Sequence, residues 1–115
     1  VELREFQAAA NHIRDRYATL NEQEGRVPWG REDFMLGFVG DVGDLAKIVM
    51  GLEGKRSGPY TLEALEHELS DCLWSVLILA QSYDIDLEAA FGRTMGQLEQ
   101  YIGAALDGSP SRALE

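Results

Sequence analysis

Apolar residues recur at helical spacing in four long stretches of this chain, and no stretch alternates apolar and polar residues as a half-buried strand would. That pattern restricts the fold to an all-α one. From Glu2 to about Asn21, Leu3, Phe6, Ala10, Ile13, Tyr17 and Leu20 fall on one helical face, and Glu2, Arg4, Arg14, Asp15 and Arg16 take the other. Gly25 is a stop signal, and Arg26 to Gly30 reads as a loop. A second helix is expected from Glu32 to Leu52, with Phe34, Phe38, Val42, Leu45 and Val49 inward. Within it Gly37, Gly40 and Gly43 recur every three residues. Each interior glycine costs about 0.5–1 kcal/mol relative to alanine, so the run implies close approach of a helix or ligand. The alternative is a break of the helix into a Gly-Asp loop.

Thr61 is a good N-cap for a third helix, Leu62 to about Tyr83, which becomes apolar nearly all round from Cys72 to Ala80. Such a helix is central to a bundle or completed by another subunit. Asp86 caps a fourth helix, Leu87 to about Ala105, with Leu87, Ala90, Phe91, Met95, Leu98 and Ile102 inward. A four-helix bundle over residues 1–106 follows, with a polar, Pro- and Gly-bearing tail over 107–115 expected to be flexible.

Two carboxylate pairs stand out against this apolar framework. Asp41 and Asp44 are three residues apart in the second helix, and Glu68 and Asp71 are three apart in the third. Residues at that spacing share a helical face. Asp41 falls inside the apolar arc of Phe34, Phe38, Leu45 and Leu52, where an unpaired carboxylate costs several kcal/mol. Four acids without soft ligands suit a hard divalent cation, Mg²⁺ or Mn²⁺, better than zinc. A solvated or ion-paired helix face would explain either pair alone; their coincidence favours the metal. His67 reads as a surface residue beside this site.

The formal charge of −10, from 20 acidic against 10 basic residues, argues against a nucleic-acid polymer or an anionic membrane as partner. The longest apolar run is too short to span a bilayer, no signal pattern opens the chain, and the single Cys72 cannot form an internal disulfide. A cytoplasmic protein is expected. No nucleophilic triad and no strand-borne phosphate loop can be assembled, so in an enzyme the metal would carry the chemistry.

Phe38 to Lys47, His67 to Ala80 and Asp84 to Phe91 together resemble the MazG-like superfamily of all-α nucleoside triphosphate pyrophosphohydrolases, closest to the dCTP pyrophosphatase pattern. That family carries Glu-x-x-Glu on one helix and Glu-x-x-Asp on the next. The resemblance implies that Asp41, Asp44, Glu68 and Asp71 are the catalytic metal ligands. It also implies Mg²⁺-dependent cleavage between the α and β phosphates of a nucleoside triphosphate, and assembly as a homodimer or homotetramer. Two departures are visible. Both acids of the first pair are Asp, one methylene shorter, and the neighbouring glycines could let a metal sit closer to the backbone. In the last helix only Arg93, with Gln97 a weaker second, offers a phosphate ligand. Lys55 and Arg56 are further candidate phosphate contacts, and Trp29 and Trp74 candidate stacking surfaces, though loop charge and ordinary core or lid packing are the plainer readings. A non-catalytic relative that keeps the metal cluster is the alternative function.

Overall fold

A computed structural model describes residues 2–108. They form four α-helices: α1 Leu3–Gln23, α2 Arg31–Leu52, α3 Leu62–Ser82 and α4 Leu87–Leu106, with no strand among the described residues. The all-α fold expected from periodicity is therefore the fold observed.

Local chemistry sets the ends. The Asp33 carboxylate accepts from the Gly30 N–H at 2.9 Å at the start of α2. Thr61 Oγ1 accepts from the Ala64 N–H, and Asp86 Oδ1 from the Ala89 N–H, each at 3.1 Å. Helices α1 and α2 both end in a glycine with positive φ, Gly25 at 70° and Gly54 at 76°. After each, a backbone N–H reaches back five residues, Arg26 to Asn21 O and Lys55 to Met50 O, both at 2.8 Å. This is the Schellman closure, which a residue with a Cβ adopts only under strain.

Helix α2 runs unbroken through its three glycines, so the Gly-Asp loop alternative is excluded. Among the described residues no other helix approaches these glycines, and one of the three lies against a loop side chain. A Cβ at Gly37 would lie 3.0 and 3.2 Å from the Trp29 ring, whereas one at Gly40 or Gly43 would meet nothing within 4 Å among the described residues. The tightest glycine is Gly51, where a Cβ would fall 1.9 Å from the Tyr60 ring.

The chain forms two compact units, the first ending at Asp84 and the second beginning at Ile85. In the first, α3 is the central helix, packed against both α1 and α2. Its Ser75, Leu77, Ile78 and Ala80 are buried, with Ala10 of α1, and Ile78 is wholly enclosed. Polar contacts tie the helices as well. Gln7 Nε2 donates to Leu77 O at 3.0 Å and Trp74 Nε1 to Ala10 O at 3.2 Å. Arg31 at the start of α2 donates to Ser82 O at the end of α3 and stacks 4.4 Å from the Tyr83 ring centre, so α2 and α3 run antiparallel.

Several expected inward stripes are open. On α1, Phe6, Ile13, Tyr17 and Leu20 are exposed; on α2, so are Val42 and Val49. The second unit is α4, whose Phe91, Met95, Leu98 and Ile102 are likewise exposed rather than inward. Periodicity identifies an apolar face but not what covers it. Asp107 and Gly108 form a turn after α4, and the remainder of the expected tail lies outside the described residues.

Candidate functional site

The four acids come together as two overlapping sets centred on Glu68. Asp41 and Asp44 of α2 and Glu68 of α3 each bring a carboxylate oxygen within 4.8 Å of the others. His67, Glu68 and Asp71 do the same along α3. The i, i+3 spacing aims each pair at the facing helix, and the antiparallel packing of α2 on α3 closes the gap. His67 Nε2 lies 3.2 Å from Asp71 Oδ2, one turn along, with its side chain 73% exposed.

Glu68 Oε2 is enclosed by protein and has no hydrogen-bond partner, the one such side-chain atom among the described residues. Burial pushes the Glu68 carboxyl above its ordinary range, and the charges of Asp71, Asp44 and Asp41 push further. Asp41 is raised for the same reasons, burial first, then Asp71 and Asp44. Burial also raises the Cys72 thiol, helped by Asp41, Glu68 and Asp71, so this cysteine stays neutral and is no nucleophile. No Lys or Arg forms an ion pair with the four acids among the described residues; the basic side chain beside them is His67, at Asp71. Hard oxygen donors, held together against mutual repulsion and including one orphaned buried oxygen, fit a hard divalent cation.

Beside the cluster is a cavity of about 550 Å³ within the first unit, and Asp41 lines it. That volume lies in the range of small-molecule sites. Its walls include Tyr17, Trp29, Phe34 and Trp74, which contact edge to face. Ring centres are 5.4 Å apart for Trp29–Phe34, 5.7 Å for Phe34–Trp74 and 6.1 Å for Tyr17–Trp74. Trp29 is positioned by the bare backbone of Gly37. The two tryptophans singled out from the sequence thus border one cavity, although 45 positions separate them.

Lys55 and Arg56 lie in the α2–α3 connection. Asp44 is about 12 Å from the end of α2 along its axis, at 1.5 Å per residue. Arg56 Nε donates to the Tyr60 hydroxyl at 2.8 Å rather than to an acid. Arg93 is an exposed residue of α4. Of the cavity's lining residues the sequence reading named only Trp29, Asp41 and Trp74 as site residues, and its cationic and amide side chains, Arg14, Asn21 and Arg26, went unnamed. Arg14 was assigned to the polar face of α1, but it lines the cavity with a side chain only 29% exposed. The available signal was its position three residues before Tyr17, with Asn21 four after, which puts all three on adjoining rows of one face.

The family model of the MazG nucleotide pyrophosphohydrolase domain matches residues 31–100 of this chain, which takes in α2, α3 and most of α4. No curated protein and no solved structure matches it.

Proposed function

Because this chain belongs to the MazG nucleotide pyrophosphohydrolase domain family, we propose that it hydrolyses a nucleoside triphosphate between the α and β phosphates, in a Mg²⁺- or Mn²⁺-dependent reaction giving a nucleoside monophosphate and pyrophosphate. The observation that carries the reading is the convergence of Asp41, Asp44 and Glu68 within 4.8 Å, with an orphaned oxygen on Glu68. Asp41, Asp44, Glu68 and Asp71 would hold the cation. The chemistry it supplies when bound is charge neutralisation at the phosphates and acidification of water.

The residues themselves do three things. Half-buried Asp41 and Glu68, with exposed Asp44, hold negative charge where no Lys or Arg among the described residues forms an ion pair with it, which selects for a multivalent cation. Asp71, paired with His67, keeps its carboxylate turned along α3 toward Glu68. Trp29, Trp74 and their aromatic neighbours offer apolar π surface next to Asp41, which suits a base stacked beside a polyphosphate. Lys55, Arg56 and Arg93 are the candidate phosphate cations named by the sequence, and neutral substitution at each tests that role.

The open apolar faces of α1 and α4 support assembly into a homodimer or homotetramer, which light scattering measures directly. No helix among the described residues is long and apolar enough to cross a membrane. We assign the protein to the cytoplasm, where nucleotide substrates and a reduced Cys72 coexist.

The decisive experiment incubates the protein with Mg²⁺ and a panel of ribo- and deoxyribonucleoside triphosphates and identifies products. Pyrophosphate with the matching monophosphate supports the reading. Metal-dependent nucleotide binding without product supports the non-catalytic alternative instead. Inorganic phosphate with a diphosphate would refute cleavage at the α–β bond.

A further inference from the structure

We propose that the cavity selects its nucleotide by the base, favouring oxo bases (hypoxanthine, guanine, uracil, thymine) over their amino counterparts, and that Arg14, Asn21 and Arg26 make the selection. This rests on the reading of the chain as a nucleotide pyrophosphohydrolase and adds the substrate class.

The argument starts from donors and acceptors. An arginine guanidinium only donates, while an asparagine amide carries one acceptor oxygen and one donor nitrogen. Arg26 Nε donates to Asn21 Oδ1 at 3.1 Å. Since the partner is a pure donor, the amide orientation is settled: one lone pair of its oxygen is held by Arg26, and its NH₂ faces outward to donate. Arg26 spends its Nη2 on Glu24 at 2.5 Å, and Arg14 spends Nε and Nη2 on Asp15 Oδ1 at 3.2 and 3.1 Å. Each guanidinium keeps a further NH₂ unspent. Apart from the second lone pair of Asn21 Oδ1, the charged and amide side chains lining the cavity therefore present donors, with one exception. That exception is Asp41, which belongs to the acidic cluster.

Position supports base reading over phosphate binding. Arg14 and Asn21 lie three residues before and four after Tyr17 on α1, so donors flank one of the aromatic rings that wall the cavity. A base stacked on such a ring turns its edge toward the flanking groups. Donors there pair with an exocyclic oxygen, as arginine pairs with O6 and N7 of guanine, and oppose an exocyclic amino group, which would leave N–H facing N–H. Hypoxanthine and adenine, or uracil and cytosine, differ at that exocyclic position.

Both tryptophans of the chain line this cavity, so intrinsic fluorescence reports its occupation without turnover. The test titrates the full chain, in EDTA, with inosine against adenosine monophosphate and with uridine against cytidine monophosphate. The expected result is tighter binding of the oxo partner in each pair by about tenfold, toward the low end of what such arginine pairing discriminates. Arg26→Gln and Arg14→Gln, checked for helix content, should each bring the oxo partner down toward its amino counterpart. Equal binding within each pair, including no saturable quench with any of the four, overturns the proposal. So does a uniform loss of all four affinities in the arginine variants, which would make those residues phosphate ligands. Pyrophosphate release is measured separately. Discrimination in binding without release removes the catalytic reading only, and release without discrimination removes this inference only.

Discussion

Replacing Glu68 by Gln should make the metal-free protein more stable while destroying its response to metal. In the folded chain Glu68 lies within 4.8 Å of oxygens on Asp41 and Asp44, and two ionised carboxylates at that separation repel by about 3.5 kcal/mol at an effective dielectric of about 20. Water, salt and partial protonation reduce the penalty actually felt to about 1 kcal/mol. A glutamine removes that charge, and its amide can donate to a neighbouring carboxylate. For a domain of this size the gain corresponds to about 4 °C in Tm, read by circular dichroism in EDTA at pH 8. The pH dependence has a definite sign. The folded pKa of Glu68 is raised above its ordinary 4.5, so between the two values the folded chain binds more protons than the unfolded one. Metal-free wild type therefore loses stability as pH rises through that window, and the wild type and variant converge below it. With Mg²⁺ at about a hundred times its Kd, wild type gains about 2.7 kcal/mol, and the variant should gain only a small part of that. A variant less stable than wild type in EDTA, or equally stabilised by Mg²⁺, would refute the placement of Glu68 as a repelled ligand.

Asp41→Asn and Asp71→Asn should each lower Mg²⁺-dependent pyrophosphate release by about a hundredfold or more, since even outer-shell partners of metal ligands are worth 10–100-fold. Asp41→Glu and Asp44→Glu are expected to keep the Mg²⁺-dependent thermal shift; its loss would show that the cluster is fitted to the shorter acid. Gly51→Ala should destabilise the protein by about 2 kcal/mol in urea titrations, because its methyl displaces the Tyr60 ring. Gly40→Ala should stabilise it by about 0.5–1 kcal/mol, since the new methyl meets nothing in the described chain and relieves backbone entropy.

The helices and acid pairs were legible because both are local, periodic signals. Helical spacing located α1 to α4 within a few residues, and i, i+3 spacing put Asp41 beside Asp44 and Glu68 beside Asp71. The cavity was less legible because it depends on three-dimensional register. Trp29 and Trp74 were recognisable as large aromatics in odd places, but Phe34, a near neighbour of Trp29 in sequence, meets Trp74 only through the packing of α2 on α3. Arg14 was hidden by its charge, which a helical wheel assigns to solvent, although a long aliphatic stem lets an arginine border an apolar face. The glycine run covers two physical situations that one sequence pattern does not separate: Gly37 lies beneath Trp29, while Gly40 and Gly43 face open space among the described residues.

That distinction changes the account of the shortened acids on α2. Among the described residues no atom stands within 4 Å of a Cβ at Gly40 or Gly43, so neither glycine serves to draw another helix of the described chain closer. Reach is also supplied from across the interface. Asp41 and Asp44 are short, but their partner on α3 is the longer Glu68, and its oxygen meets both within 4.8 Å. The pairing of two short acids with one long one sets the gap between α2 and α3 that the carboxylates must span. It also explains why the orphaned oxygen is on Glu68: the side chain that crosses the interface is the one enclosed by it. A shorter residue there, Glu68→Asp, should open the cluster and weaken Mg²⁺ binding more than the same one-methylene change, in the other direction, at Asp44, whose side chain is exposed and free to adjust. Calorimetric Mg²⁺ titration of the two variants measures the difference, and equal losses would show that the burial of Glu68 has no part in holding the cation.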